Sequence, residues 1–217
     1  MAGPKWVDGH VVSVGLRDGW YVLGQFLKSP FMVFFAAYSA SDDWSPHAAQ
    51  QVEPLFFCAV TNQFRKFSAM RWCEQVRQRL FQDLPRYWIE PFHGSVKTTV
   101  WAGTPRERTF LTLNQRPGGR LIEKHIDDNG FTRYPVVLES IPLDDDQTID
   151  RHELNVLWTY PNLNERLLLC KQLGTRVDPE KDLLFGRPPR DEYVTYVDIL
   201  AGHGTPEDWG YHGSPAR

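Results

Sequence analysis

The stretch from Gly9 to Ser39 limits the possible folds of this chain more than any other part of it. It reads GHVVSVGLRDGWYVLGQFLKSPFMVFFAAYS, three β-prone runs separated by two turn signals. Asp18-Gly19 suits a tight hairpin because Asp and Gly tolerate a positive φ, and Ser29-Pro30 marks a second turn. Gly24 lies within the second run, where an isolated glycine indicates a β-bulge. The stretch therefore predicts an antiparallel three-stranded meander.

The rest of the chain alternates further β-prone runs with helical patterns. From Ala69 to Gln82, apolar residues recur at helical spacing behind a possible Ser68 cap, which predicts an amphipathic helix. A second helix is predicted over Asn162–Leu173, with Gly174 as its C-terminal stop. Further strands are predicted at Leu55–Val60, Val96–Trp101, Arg108–Leu113, Leu121–Ile126, Phe131–Val137 and Tyr193–Leu200.

These patterns predict an α+β fold that is mainly antiparallel β. The N-terminal meander would belong to a twisted sheet or a small barrel, with two or three packed helices. The chain has 217 residues, of which 41% are hydrophobic, and this is enough for one domain with a substantial core. We expect a single α+β domain over residues 1–186. Residues 187–217 are expected to form a C-terminal extension that is partly disordered.

Charge, cysteine usage and hydropathy argue against several classes of protein. The formal net charge of −3 gives no overall attraction to nucleic acid or to an anionic membrane. The cysteines, Cys58, Cys73 and Cys170, form no Cys-x-x-Cys pair, so reduced and buried thiols are expected. The N-terminus lacks the apolar core of a signal peptide, and no apolar run approaches the ~20 residues of a membrane helix. We therefore expect a cytoplasmic protein without a membrane partner.

No arrangement of residues points clearly to catalysis, to a metal or to a cofactor. Cys58 lies in the middle of an apolar strand, where a thiol normally packs rather than reacts. His125 and Asp127 would share one strand face and could supply two metal ligands, although the sequence from Asp127 to Gly130 is more typical of a hairpin turn. We expect no catalytic residue, no metal and no cofactor. A small hydrolase whose site leaves no motif is an open alternative.

A basic segment makes nucleic-acid binding another alternative. Between Phe64 and Glu90 the chain carries six Arg or Lys residues and three acids, with aromatic residues interleaved. The predicted helix 69–82 would present Arg71, Arg77 and Arg79 on one face, and such a face can contact phosphates. Because the whole chain is net negative, a solvated helix face is favoured and nucleic acid is not the expected partner.

The acidic segment Glu139–Glu153 is the strongest candidate for partner binding. It holds six carboxylates against one arginine, Arg151. A concentrated negative surface speeds association with a basic protein and disfavours wrong partners. We therefore predict a partner-binding surface that consists of Asp144, Asp145, Asp146, Asp150 and Glu153.

The opening segment resembles the immunity protein 26 family of bacterial polymorphic toxin systems. The resemblance rests on a glycine, a Leu-x-Asp-Gly turn, an aromatic pair and a later glycine, which in this chain are Gly9, Leu16, Asp18-Gly19, Trp20-Tyr21 and Gly24. Two later segments, VEPLFFCAVTNQFRKFSAMRW and HELNVLWTYPNLNERL, are similar to further parts of the family pattern, in the same order.

The resemblance implies a function without catalysis. Residues 1–186 would be an immunity-like domain that binds and neutralises a cognate toxin domain in the cytoplasm. If that toxin is a nuclease, its substrate cleft is basic, and the acidic segment would complement it.

Overall fold

A computed structural model gives the structure of the protein and describes residues 4–81, 83–112, 114–126 and 132–211. These residues form two compact units. The first unit comprises residues 4–81, 157–177 and 202–211, and the second comprises the described residues from 83 to 156 together with 178–201. As predicted, the fold is α+β, and most of its strand pairs are antiparallel.

Strands dominate the first two thirds of the chain, and the longer helices follow them. In chain order the strands are β1 (Val11–Gly15), β2 (Tyr21–Phe26), β3 (Phe31–Ser39), β4 (Pro54–Val60), β5 (Ala69–Trp72), β6 (Tyr87–Pro91), β7 (Val96–Val100), β8 (Arg108–Thr112), β9 (Gly119–Glu123), β10 (His125–Ile126), β11 (Thr132–Arg133), β12 (Val136–Leu138), β13 (Glu153–Leu154) and β14 (Leu157–Trp158). The α-helices are α1 (Asn62–Phe67), α2 (Asp146–Arg151), α3 (Asn162–Leu173), α4 (Pro179–Leu184) and α5 (Val194–Ala201).

The predicted meander is confirmed as the centre of the first unit. Strands β1, β2 and β3 pair antiparallel within a six-stranded sheet of order β14-β4-β3-β2-β1-β5. In the first turn Asp18 has φ 62° and Gly19 has φ 72°, the left-handed backbone that the sequence indicated. The pairing of β2 with β3 shifts register between Val22 and Gly24, which confirms the bulge. A Cβ at Gly24 would lie 2.9 Å from the Phe34 ring, so the bulge also depends on glycine.

Both faces of this sheet are covered, which explains why β3 is apolar throughout its middle. Val33 and Phe35 pack on one face in a cluster that includes Trp44. On the other face the Phe34 ring lies 6.1 Å from that of Phe64 in α1. Such continuous burial, from Phe31 to Phe35, is typical of a strand with layers on both sides.

Helix α3 has the predicted bounds, and it buries charged residues. Gly174 ends it with φ 65°, as expected for a helix stop. Glu165 is fully buried, and Arg17 donates two hydrogen bonds of 2.9 Å to its carboxylate. The Tyr211 hydroxyl donates to the same carboxylate. Buried Arg166 lies 3.8 Å from the Phe56 ring centroid and donates to the carbonyl of Val177.

The second unit has a four-stranded sheet of order β12-β9-β6-β13 and a β7–β8 hairpin, where two strands were predicted. Its core contains Ile89 and Leu154 from strands, Ile149 from α2, and Leu184 with Phe185 at the end of α4. In the described part of the chain, no helix is both long and apolar enough to cross a membrane.

The predicted helix over Ala69–Gln82 is wrong. Ala69–Trp72 is the edge strand β5, which pairs with β1 in the register Val14↔Met70, and the chain after it is not helical. Ser68 ends α1 instead of starting a helix. The alternation of buried Met70 with exposed Arg71 suits a strand, and the open edge of β1 supplied a partner that local periodicity could not reveal.

The predicted strand over Tyr193–Leu200 is also wrong, because α5 occupies Val194–Ala201. Tyr193, Tyr196 and Val197 are all fully buried, and their spacing of i, i+3 and i+4 forms one helical stripe. Their residue types are typical of strands, and this preference concealed the helical period.

Because the carboxylate of Glu165 is buried, the loss of one of its hydrogen-bond donors should lower the stability of the fold. We expect Tyr211→Phe to lower the free energy of unfolding by roughly 1.5–3 kcal/mol, because a hydrogen bond to a buried charged group is lost. Urea denaturation measures the difference. Tyr134→Phe is the matched control, since Tyr134 is exposed, and equal stability of the two variants would contradict the prediction.

Candidate functional site

The predicted acidic residues lie in the second unit, and the structure gives them different roles. Asp144 is exposed and lies just before α2. Asp145 is the N-cap of α2 and accepts a hydrogen bond of 3.1 Å from the Thr148 backbone N–H. Hydrogen bonding to Thr148 lowers the pKa of the Asp145 carboxyl, which therefore stays ionised at neutral pH. Asp145 thus stabilises the helix start beside Asp144.

Asp146 and Asp150 share one cation within the chain, which offsets part of their charge. Both lie one turn apart in α2, and Arg187 donates to each of them, at 2.7 Å for Asp150. Arg187 also donates at 3.0 Å to Asp182, which is 12% exposed and accepts a 2.7 Å hydrogen bond from Tyr193. We call this group, Arg187 with Asp146, Asp150 and Asp182, the arginine clamp. Its acidic members hold α2 in place as well as carrying charge.

Glu153 is not part of the surface. It lies in β13, is 5% exposed, and pairs in register with Trp88 of β6. A partner cannot reach a carboxylate covered in this way, so Glu153 does not belong to the predicted partner-binding surface. Glu153 is buried because it lies within the sheet, and the composition of the acidic segment does not reveal this position.

An exposed segment beside these acids was not recognised as a surface from the sequence. We call residues 134–143 the edge segment, because β12 lies at one end of the four-stranded sheet. It runs antiparallel along β9: the Glu123 N–H donates to the Pro135 carbonyl at 2.9 Å, and the Ile141 N–H donates to the Gly119 carbonyl at 2.9 Å. Leu143 closes the run beside Gly118. Residues 135–141 therefore border β9 from end to end.

Apolar side chains dominate the exposed part of the edge segment. The exposed fractions are 42% for Tyr134, 39% for Val136, 51% for Val137, 39% for Leu138 and 50% for Leu143. Residues 139–146, which overlap the end of the edge segment, hold four carboxylates and no basic residue. Several exposed apolar residues in one short segment, bordered by charge, are typical of protein-binding surfaces. The Val136-Val137-Leu138 run next to acidic residues was the available sequence signal, but only the sheet order shows that it is exposed.

One feature limits regular strand pairing along this edge: the register shift between Val136 and Leu138 places a bulge at Val137. Because the Glu123 N–H binds the Pro135 carbonyl, the polar backbone groups of Pro135 face β9, and alternation turns the N–H and C=O of Val136 to the open side. Bulges are common in the edge strands of soluble proteins, where they interrupt the ladder that a further strand would need. A partner would therefore bind mainly through the exposed side chains.

Lys124 lies beside the edge segment in a partly desolvated position. Its ammonium nitrogen donates to the Asn155 side chain at 3.0 Å and lies 5.2 Å from the Trp88 ring and 5.5 Å from the Tyr134 ring. Burial lowers the pKa of Lys124 from 10.5 to about 8. The lysine supports the position of Tyr134 at the start of the edge segment.

The other candidates from the sequence do not form a site. Arg71 pairs with Asp42, and with β5 in place of a helix there is no common face for Arg71, Arg77 and Arg79. Cys58, Cys73 and Cys170 are buried and form no disulfide with one another. Among the described residues no group of three or more His, Cys, Asp or Glu could hold a metal ion. His125 lies 2.7 Å from Glu123, while Asp127 to Gly130 lie outside the described residues.

The pKa of Lys124 predicts a pH dependence of stability. Between about pH 8 and 10.5 the unfolded chain binds more protons at this residue than the folded chain, so stability rises with pH. We expect the free energy of unfolding of the wild type, relative to Lys124→Met, to increase across this window in urea titrations. Lys97→Met, at an exposed position, is the matched control for loss of a lysine charge. A difference that stays constant with pH would disprove the assignment.

The arginine clamp predicts a salt-dependent loss of stability. Arg187→Gln leaves three carboxylates close together without their cation, and we expect destabilisation by about 1–2 kcal/mol, since two of these acids are exposed. The loss should shrink when NaCl rises from about 0.05 M to about 0.5 M, because salt screens the repulsion. Arg151→Gln, an exposed arginine of α2, is the control. A loss that does not change with salt would contradict the electrostatic explanation.

Comparison with known proteins gives one match. The family model described as Domain of unknown function (DUF8309) matches residues 2–187. No curated protein and no solved structure matches the chain.

Proposed function

Since this chain belongs to the DUF8309 family, a domain of unknown function, we propose its role from its own surface: it is an immunity protein that binds and neutralises a basic toxin domain. It would do so without catalysis, in the cytoplasm of the cell that makes the toxin. The observation that carries the proposal is the exposed apolar edge segment, which overlaps residues 139–146 with their four carboxylates.

The apolar part of the edge segment supplies the affinity of the proposed complex. Five exposed apolar side chains belong to this segment, and burial of those that a partner covers removes apolar area from water. Tyr134, between the Lys124 ammonium and solvent, is the aromatic anchor of the segment. A sheet with a buried core holds these side chains in place, so little ordering is needed on binding.

The carboxylates determine which partners the surface favours. Arg187 offsets part of the charge of Asp146 and Asp150, so Glu139 and Asp144, which do not share this cation, carry the larger part of the charge available to a partner. This charge lies towards one end of the edge segment, and it favours a partner with a matching basic patch at one end of its own contact surface. The resemblance of the opening sequence to the immunity protein 26 family favours the same function.

Co-expression tests the proposed function. The chain is produced in a bacterial host together with the toxic C-terminal domain of a secreted protein encoded next to it. We expect the wild type to restore growth and the purified proteins to form a complex. We expect Glu139→Lys combined with Asp144→Lys to slow association by about tenfold at low salt, because the attraction becomes repulsion. Stopped-flow measurements give the association rate.

The control places the same charge changes elsewhere. Glu192→Lys combined with Glu207→Lys alters two exposed acids outside residues 134–146, and we expect association close to that of the wild type. If the wild type neither protects the host nor binds the toxic domain, the proposed function is wrong. If it does both but the two double variants associate equally fast, the function stands and the assigned surface is wrong.

A further inference from the structure

Residues 202–211, the C-terminal part of the first unit, contain neither a helix nor a strand. We call these residues the strap. Tyr211 is 3% exposed, whereas every other residue of the strap is exposed or half-buried. A single side chain therefore anchors the strap in the interior of the first unit.

The Tyr211 side chain occupies a pocket whose polar end is the carboxylate of Glu165. The Tyr211 hydroxyl donates to this carboxylate, to which Arg17 donates two further hydrogen bonds. The Tyr160 ring lies edge-on to the Tyr211 ring, with 6.2 Å between the ring centroids. The pocket thus combines an aromatic wall with an anionic acceptor, and a phenol group matches both.

Few contacts of the strap involve the rest of the first unit. In the described part of the chain two hydrogen bonds join them: the Tyr211 hydroxyl donates to Glu165, and the Tyr160 hydroxyl donates to the Tyr211 carbonyl at 3.3 Å. Other hydrogen bonds are internal to the strap, such as those from the backbone N–H and the hydroxyl of Thr205 to the Asp208 carboxylate, at 2.8 and 3.0 Å. A segment with so few external contacts opens at a lower free energy than the whole unit unfolds.

We propose that the strap is a removable internal ligand, and that the pocket beneath it binds a tyrosine side chain of another polypeptide. A tyrosine that replaces Tyr211 donates its hydroxyl to Glu165 and packs its ring against Tyr160. Tyrosine is the assigned occupant because it reproduces the contacts that Tyr211 makes. The pocket belongs to the first unit and the edge segment to the second, so the proposed function does not use it.

The pocket keeps its polar end when the strap leaves. Glu165 belongs to α3, where eight of the twelve residues are buried, so the packing of the helix holds the carboxylate in place. Arg17 retains both of its hydrogen bonds to Glu165, and water takes the place of the Tyr211 hydroxyl. The carboxylate, which Tyr211 covers in the closed state, then faces the space that the phenol ring has left.

These groups discriminate between possible side chains. Phenylalanine packs against Tyr160 but offers no donor to the Glu165 carboxylate. Aspartate and glutamate are repelled by that carboxylate. A lysine can donate to Glu165, but the guanidinium of Arg17 beside it repels a second cation.

Tyr211→Ala in the full chain vacates the pocket, and 4-methylphenol, which has the structure of the tyrosine side chain, probes it. We expect this variant to keep the wild-type circular dichroism spectrum and to bind 4-methylphenol with a Kd of about 1 mM or lower. Toluene, which lacks the hydroxyl, should bind about fivefold more weakly or worse, because it donates no hydrogen bond to Glu165. The wild type should bind neither compound, since Tyr211 fills the pocket. Saturation-transfer NMR and calorimetry measure binding.

A peptide tests whether a polypeptide can present the tyrosine. The probe is the strap sequence GHGTPEDWGY with both ends capped. It should bind the Tyr211→Ala chain at least as tightly as 4-methylphenol does, and about fivefold more tightly than the same peptide with phenylalanine as its last residue. In Tyr211→Phe the strap of the chain itself is held less tightly, so this variant should bind the tyrosine peptide with an affinity between those of the wild type and Tyr211→Ala.

Tyr134→Ala is the matched control, because it removes an exposed tyrosine of the second unit and should create no site for 4-methylphenol. Three results would overturn the proposal: Tyr211→Ala loses the wild-type fold, it binds toluene as tightly as 4-methylphenol, or it fails to bind the tyrosine peptide in preference to the phenylalanine peptide. None of them bears on toxin neutralisation, because Tyr211→Ala leaves the edge segment unchanged and the titrations contain no toxin domain.

Discussion

The buried carboxylate of Glu165 is the constraint on which the first unit depends. A charged group without solvent is tolerated only when donors surround it, and in this unit they come from distant parts of the chain. Arg17 lies 148 residues before Glu165, and Tyr211 lies 46 residues after it. One ionised side chain thus joins the first turn of the meander, the start of α3 and the C-terminal part of the first unit. We infer that the N-terminal strands need residues beyond 157 to complete their fold.

Features decided by near neighbours could be predicted from the sequence, and features decided by distant partners could not. The turn at Asp18-Gly19, the bulge at Gly24 and the end of α3 at Gly174 depend on glycine or aspartate in left-handed backbone or close contact. The segment from Ala69 to Gln82 has a helical period, yet pairing with the edge of β1 determines its conformation. Residues 194–201 form a helix because their buried side chains lie on one helical stripe, although their residue types are typical of strands.

The candidate surface shows the same division. The sequence identified the region of concentrated carboxylates, because charge is visible in composition. It could not show that Arg187, 37 residues after Asp150, neutralises part of that charge, or that Glu153 lies inside the sheet. Nor could it show that Val136, Val137 and Leu138 are exposed, since an apolar run of this kind is equally typical of a buried strand. Sheet order alone distinguishes the two cases.

The protection of the edge segment has a consequence for the proposed complex. The bulge at Val137 interrupts regular backbone pairing, so a partner cannot simply extend the sheet by an arbitrary strand. Affinity must then come from the shapes of the apolar side chains, and these differ from one partner surface to another. Glu139 and Asp144 add charge towards one end of the edge segment and therefore favour one orientation of a basic partner. Under the proposed function this combination suits an inhibitor that must bind one toxin and ignore related ones, because a surface that relied on main-chain hydrogen bonds would discriminate poorly between them.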